Sequence, residues 1–93
     1  SLKKARSITA GALGDSAQML AAQTESGNYR GQIIGTTDHH IIQRQSASAA
    51  VVHPKDLLDK QPEIGQTVRI NYSNDRGSVR EFRNREKANS LGR

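Results

Sequence analysis

Residues 65–82 read GQTVRINYSNDRGSVREF. Val68, Ile70 and Tyr72 alternate with Thr67, Arg69 and Asn71, the period-two pattern of a strand with one buried face. Residues 73–77, SNDRG, form a polar, glycine-ended break in which Asn74, Asp75 and Gly77 tolerate the positive φ that tight hairpin connections require. SVREF then runs back as the partner strand. The stretch is therefore predicted to be a β-hairpin. By alternation Val68, Ile70, Tyr72 and Val79 face a core, while Arg69 and Arg80 face outward and Arg76 sits at the turn between them.

The chain upstream has the same texture. YRGQIIGT, starting at Tyr29, is the first strand, residues 37–39 turn it, and HIIQRQ returns. SASAAVVH is a third run, stopped by Pro54. PKDLLDK places Pro54 at the first position of a single helical turn, with Leu57 and Leu58 inward, and Pro62 ends it. Gly31 and Gly35 inside a strand mark bends or bulges. Five short strands with one inserted helical turn predict a mostly β fold over residues 28–84, a small five-stranded SH3-like barrel, with an OB-like barrel as the alternative.

The flanks differ. Residues 1–27 are rich in Ala, Ser, Thr and Gly, and are expected to be a flexible linker leading in from a longer protein. Their one structured alternative is a short helix capped by Asp15, with Met19 and Leu20 as its contacts. Residues 85–93 are expected to be a basic C-terminal tail.

Composition limits what such a domain can do. Only 33% of the 93 residues are hydrophobic, and the aromatics are Tyr29, Tyr72 and Phe82, so the core must come from Ile, Leu and Val. The absence of cysteine excludes a disulfide scaffold, a thiolate zinc site and a cysteine nucleophile. No apolar run approaches the roughly 18 residues that read as a membrane helix. The positive start is interrupted by polar residues too soon for a secretory signal, and a cytoplasmic location is expected. The net charge of +5 is uneven: +1 in residues 1–27, zero in residues 28–65 and +4 in residues 66–93. A basic hairpin and tail suit a polyanion, and the candidate nucleic-acid-binding residues are Arg69, Arg76, Arg80, Arg83, Arg85 and Lys87. With few aromatics to stack bases, phosphate contacts by arginine would dominate.

Other chemistry finds little support. His39 and His40 are adjacent, so in a strand they point to opposite faces and do not chelate together, and His53 has no carboxylate cluster at ligand spacing. No metal or other cofactor is expected. Asp56 and Asp59 lie beside Lys55 and Lys60, which reads as surface charge pairing. GALGDS lacks the Lys-Ser/Thr ending of a phosphate-binding loop. The domain is expected not to be an enzyme.

Read in order, the weak motifs resemble those of the KfrB-type domain of bacterial conjugative plasmids and related mobile elements. The family's pattern opens with aromatic-x-Gly-x-Ile, continues with an Ile-x-Gln strand and a Val-x-His stop, and then has a leucine-containing turn. Pro-x-x-Gly and an Ile-x-Tyr strand precede a final glycine turn. The matching residues are Tyr29, Gly31 and Ile33; Ile41 and Gln43; Val51 and His53; Leu57 and Leu58; Pro62 and Gly65; Ile70 and Tyr72; and Gly77. The resemblance covers about residues 28–84. It implies a non-catalytic accessory module that supports conjugative DNA transfer or plasmid maintenance by weak binding of DNA or of conjugation and partition proteins. A pure protein-interaction module is the alternative, as is a regulatory domain attached to a relaxase, primase or toxin. The family supplies no catalytic residues to carry over.

Overall fold

A computed structural model describes residues 1–81. Helix α1 (Leu2–Leu13) is followed by strands β1 (Gln18–Ala21), β2 (Asn28–Thr36), β3 (His40–Ser46) and β4 (Ala49–Pro54). A 3₁₀ turn at Lys55–Leu57 leads to β5 (Thr67–Ser73) and β6 (Arg76–Glu81). The six strands make one sheet in the order β1-β4-β3-β2-β5-β6, antiparallel except for the parallel β1–β4 pair.

The fold is mostly β, as the sequence predicts, but the sheet does not close into a barrel. It folds over along β2 into two leaves. Residues 28–32 of β2 pair with β5, whereas Ile33, Gly35 and Thr36 pair with β3, with a register shift between Ile33 and Gly35. Between the leaves lies the main core of Ile33, Ile41, Leu58, Val68, Ile70, Tyr72 and Val79. Helix α1 covers the opposite side of the first leaf, where Ala5, Ile8 and Leu13 pack with Met19, Ile34, Ile42, Ala50 and Val52. Gly35 is the seat of the helix: a Cβ there would lie 2.5 Å from Cγ2 of Ile8. Double coverage explains why Ile41, Ile42 and Gln43 are buried in succession, and why Ala49 to His53 are buried without alternation.

The N-terminal segment departs from expectation. The helix occupies Leu2–Leu13 and ends at Gly14 (φ 106°), before the Asp15 that was expected to start one, and Gln18–Ala21 is a strand. The helix was hidden because its buried side chains, Ala5 and Thr9, are small and give little amphipathic contrast. The strand forms because β4 offers an open edge. Gln18 N–H donates to Ser48 O at 2.8 Å and Ala22 N–H to Val52 O at 3.1 Å, which secures backbone groups that the local sequence alone would leave to water.

The hairpin forms as predicted, with Ile70 opposite Val79 and Arg69 opposite Arg80. Its turn takes positive φ at Asn74 (51°) and Asp75 (63°), the two-residue geometry whose twist matches that of the strands. Gly77 does not share that conformation; it is buried where β6 passes Leu58 and Tyr72. Val68, Ile70 and Tyr72 are all buried and Arg69 and Asn71 are exposed. Ile70→Ala is therefore expected to cost roughly 2–4 kcal/mol, against less than about 1 kcal/mol for Thr67→Ala. Equal melting shifts for the two would contradict this register.

Candidate functional site

Two arrangements carry the polar chemistry of the described residues, one inside the fold and one on its surface. Inside, the strand residues Gln43 (β3), His53 (β4) and Tyr72 (β5) meet between the leaves. The Gln43 side-chain amide donates to Gly31 O at 3.1 Å and to Val68 O at 2.9 Å. Its Oε1 therefore accepts, from His53 Nε2–H at 2.8 Å. That fixes the tautomer: His53 Nδ1 carries the lone pair and receives the Tyr72 hydroxyl at 2.7 Å. The imidazole stacks on Tyr72 with ring planes 11° apart, and Tyr29 meets His53 edge-on at a centroid distance of 5.3 Å. The Tyr29 hydroxyl in turn accepts Gln23 N–H at 2.7 Å. No buried side-chain polar atom among the described residues lacks a partner.

Electrostatics follow from this closure. Burial pushes the His53 imidazole down to about 4, since the charged form would lose its hydration. Burial, and then the neighbouring Tyr29, push the Tyr72 phenol up. The network is thus neutral over the physiological range. Both His53 nitrogens are committed inside the protein, and among the described residues no group of three or more His, Asp or Glu side chains is placed to hold a metal ion. Residues Tyr29, Gly31, Gln43, His53 and Tyr72, which carried the family resemblance, form this network or contact it. Their role is to join the two leaves, with polar groups matched one to one.

Asp59 also has a structural task. Its backbone N–H donates to Gly77 O at 2.9 Å and its Oδ1 accepts Val79 N–H at 2.8 Å. The expected pairing with surface lysines is replaced by coverage of the β6 edge, which would otherwise invite another strand.

The outer face of the second leaf is different. Arg30 on β2 pairs with Arg69 on β5, which pairs with Arg80 on β6, so three exposed arginines lie side by side across three adjacent strands. With strands about 4.8 Å apart, the row spans roughly 10 Å. Asn28, Asn71 and Ser78 form the next row on one side, and Gln32 and Thr67 flank it on the other. None of the outward positions on the three strands is acidic.

The sequence expected Arg69, Arg76 and Arg80 to share one track. Arg69 and Arg80 do so, but Arg76 lies opposite Ser73, four residues along β6 from Arg80 and about 13 Å away at the strand rise. Arg30 takes the third place. Alternation from the inward Tyr29 indicates that Arg30 points outward; its position beside Arg69 depends on the β2–β5 pairing, which no local pattern encodes. Arg83, Arg85 and Lys87, also expected to bind, lie outside the described residues. No helix among those described is long and apolar enough to cross a membrane.

Compared with known proteins, the chain matches the family described as KfrB Domain over residues 28–81, from the start of β2 to the end of β6. No curated protein and no solved structure matches it.

Proposed function

The chain belongs to the KfrB domain family, and we propose that it is a non-catalytic accessory module that holds nucleic acid weakly on the outer face of its second leaf. In this reading it acts in the cytoplasm as part of a plasmid or mobile-element protein, supporting DNA transfer or plasmid maintenance. The observation that supports it is the in-register row of Arg30, Arg69 and Arg80. Three guanidinium groups in one row are complementary to phosphates, which arginine can meet with paired, charge-assisted hydrogen bonds. Non-specific contacts of this kind correspond to a Kd of roughly 10⁻⁴–10⁻⁶ M at physiological salt.

The test is a triple variant, Arg30→Ala/Arg69→Ala/Arg80→Ala. It is expected to remain folded by circular dichroism, because exposed substitutions usually change stability by less than about 0.5 kcal/mol each. Fluorescence anisotropy with labelled DNA between about 50 and 200 mM salt should show binding by the parent, most of it lost in the variant. On duplex DNA the log–log salt slope should fall by up to about 3. A parent that binds no DNA at about 50 mM salt, or a variant that binds equally well, would refute the reading.

A further inference from the structure

We infer that the preferred ligand of this face is a single nucleic-acid strand laid along the Arg30–Arg69–Arg80 row, across the strands of the leaf, with its bases over the amide-bearing rows beside it. The inference rests on the nucleic-acid reading above and narrows it to a substrate class.

The geometry argues for one phosphate line. The three guanidinium groups occupy a single row of roughly 10 Å, which follows one phosphate line without reaching a second. The rows on either side, about 6.6 Å away along the strands, are neutral: Asn28, Asn71 and Ser78 on one side, Gln32 and Thr67 on the other. Amides and hydroxyls in that position offer donors and acceptors to base edges, which are open on an unpaired strand and hidden in a duplex except through the grooves. The guanidinium planes also supply stacking surfaces, the task that Tyr29 and Tyr72 cannot perform from the interior.

A duplex fits the same face less well. It presents two phosphate rails, separated by about 12 Å across the major groove, and is read by a helix or two-stranded ribbon inserted into it. Here the outward face belongs to a three-stranded leaf, and among the described residues of that leaf it is Arg76, about 13 Å from Arg80 along β6, that is placed to serve a second rail. The two ligands therefore make opposite demands. A single strand uses Asn28 and Asn71 and ignores Arg76, whereas a duplex uses Arg76 and ignores the amides.

The experiment compares a labelled single strand of about 12 nucleotides with the duplex made from it, by anisotropy at about 50 mM salt on the whole chain. The single strand is expected to bind at least about fivefold more tightly. Asn28→Ala/Asn71→Ala should weaken single-strand binding about five- to tenfold with the salt slope unchanged, because amides release no counterions. Arg76→Ala should change it by less than about twofold. Melting curves check that the variants fold, and Asn71→Ala alone replaces the double variant if that one does not. Arginine-dependent binding in which the duplex equals or exceeds the single strand would overturn this inference while leaving the nucleic-acid reading intact. So would an amide variant that binds single strands as the parent does. Binding to polyglutamate that needs the three arginines, with none to either nucleic acid, would overturn both and assign the face to an acidic protein.

Discussion

A Gly31→Ala protein is expected not to fold under conditions where the parent is stable. A Cβ at Gly31 would lie 1.9 Å from the carbonyl oxygen of Arg44 and 3.1 Å from its carbonyl carbon. Both are main-chain atoms of β3, so no rotamer change can clear them. The leaves would have to separate where β2 passes over β3, and Gly31 O would leave the Gln43 amide that it accepts at 3.1 Å. Overpacking that side chains can absorb costs about 1–3 kcal/mol, and displaced backbone costs more. A domain of this size has only about 5–10 kcal/mol in total. Gly11→Ala is the matched control. Nothing lies within 4 Å of its Cβ, and in the α1 interior alanine should add about 0.5–1 kcal/mol. Denaturant titration of the two proteins checks both signs. A cooperative Gly31→Ala transition close to the parent's would mean that β2 and β3 do not approach this closely.

The second large effect belongs to the buried network. Gln43→Leu keeps the size of the side chain but leaves the Nε2–H of His53 without its acceptor and removes the amide bonds to the carbonyls of Gly31 and Val68, which face each other in the β2–β5 ladder. At about 1–3 kcal/mol for the stranded donor and about 0.5–1.5 kcal/mol for each of the two lost amide bonds, the loss is roughly 2–6 kcal/mol, a large part of the stability of the domain. Tyr72→Phe removes only the donor to His53 Nδ1 and should cost about 1–2 kcal/mol.

The same network makes stability depend on pH. In the folded protein His53 is held down to about 4, against 6.5 for an ordinary imidazole. Between those values the unfolded chain binds a proton that the folded chain refuses, so stability falls as pH drops from about 6.5 towards 4. Below 4 both states are protonated and this contribution levels off. The full window corresponds to roughly 3 kcal/mol. Unfolding free energies at several pH values should show this slope in the parent, and a His53→Gln protein should lack the His53 part of it. A resonance assigned to the His53 imidazole that titrates near 6.5 in the folded protein would show that protons reach His53 freely, contrary to the closed network.

The hairpin, the 3₁₀ turn near Leu57 and the strands from Tyr29 to His53 were legible in the sequence because their signals are local. Alternation sets which side chains turn inward, proline and glycine set where runs stop, and Asn74-Asp75 set the turn, all within a few residues. The outward direction of Arg69 and Arg80 came from the same rule. What remained hidden depends on partners distant in the chain. Gln18–Ala21 is a strand only because β4, some thirty residues later, has an unpaired edge for its amides. Gln43 and His53 look like ordinary polar residues until the fold brings Tyr72 and the carbonyls of Gly31 and Val68 within hydrogen-bonding distance. Arg30 joins Arg69 and Arg80 only because β2 divides its length between β3 and β5. Backbone periodicity and turn stereochemistry determined the strands and their faces; closure of long-range backbone hydrogen bonds decided which strands became neighbours, and so where the charges gathered.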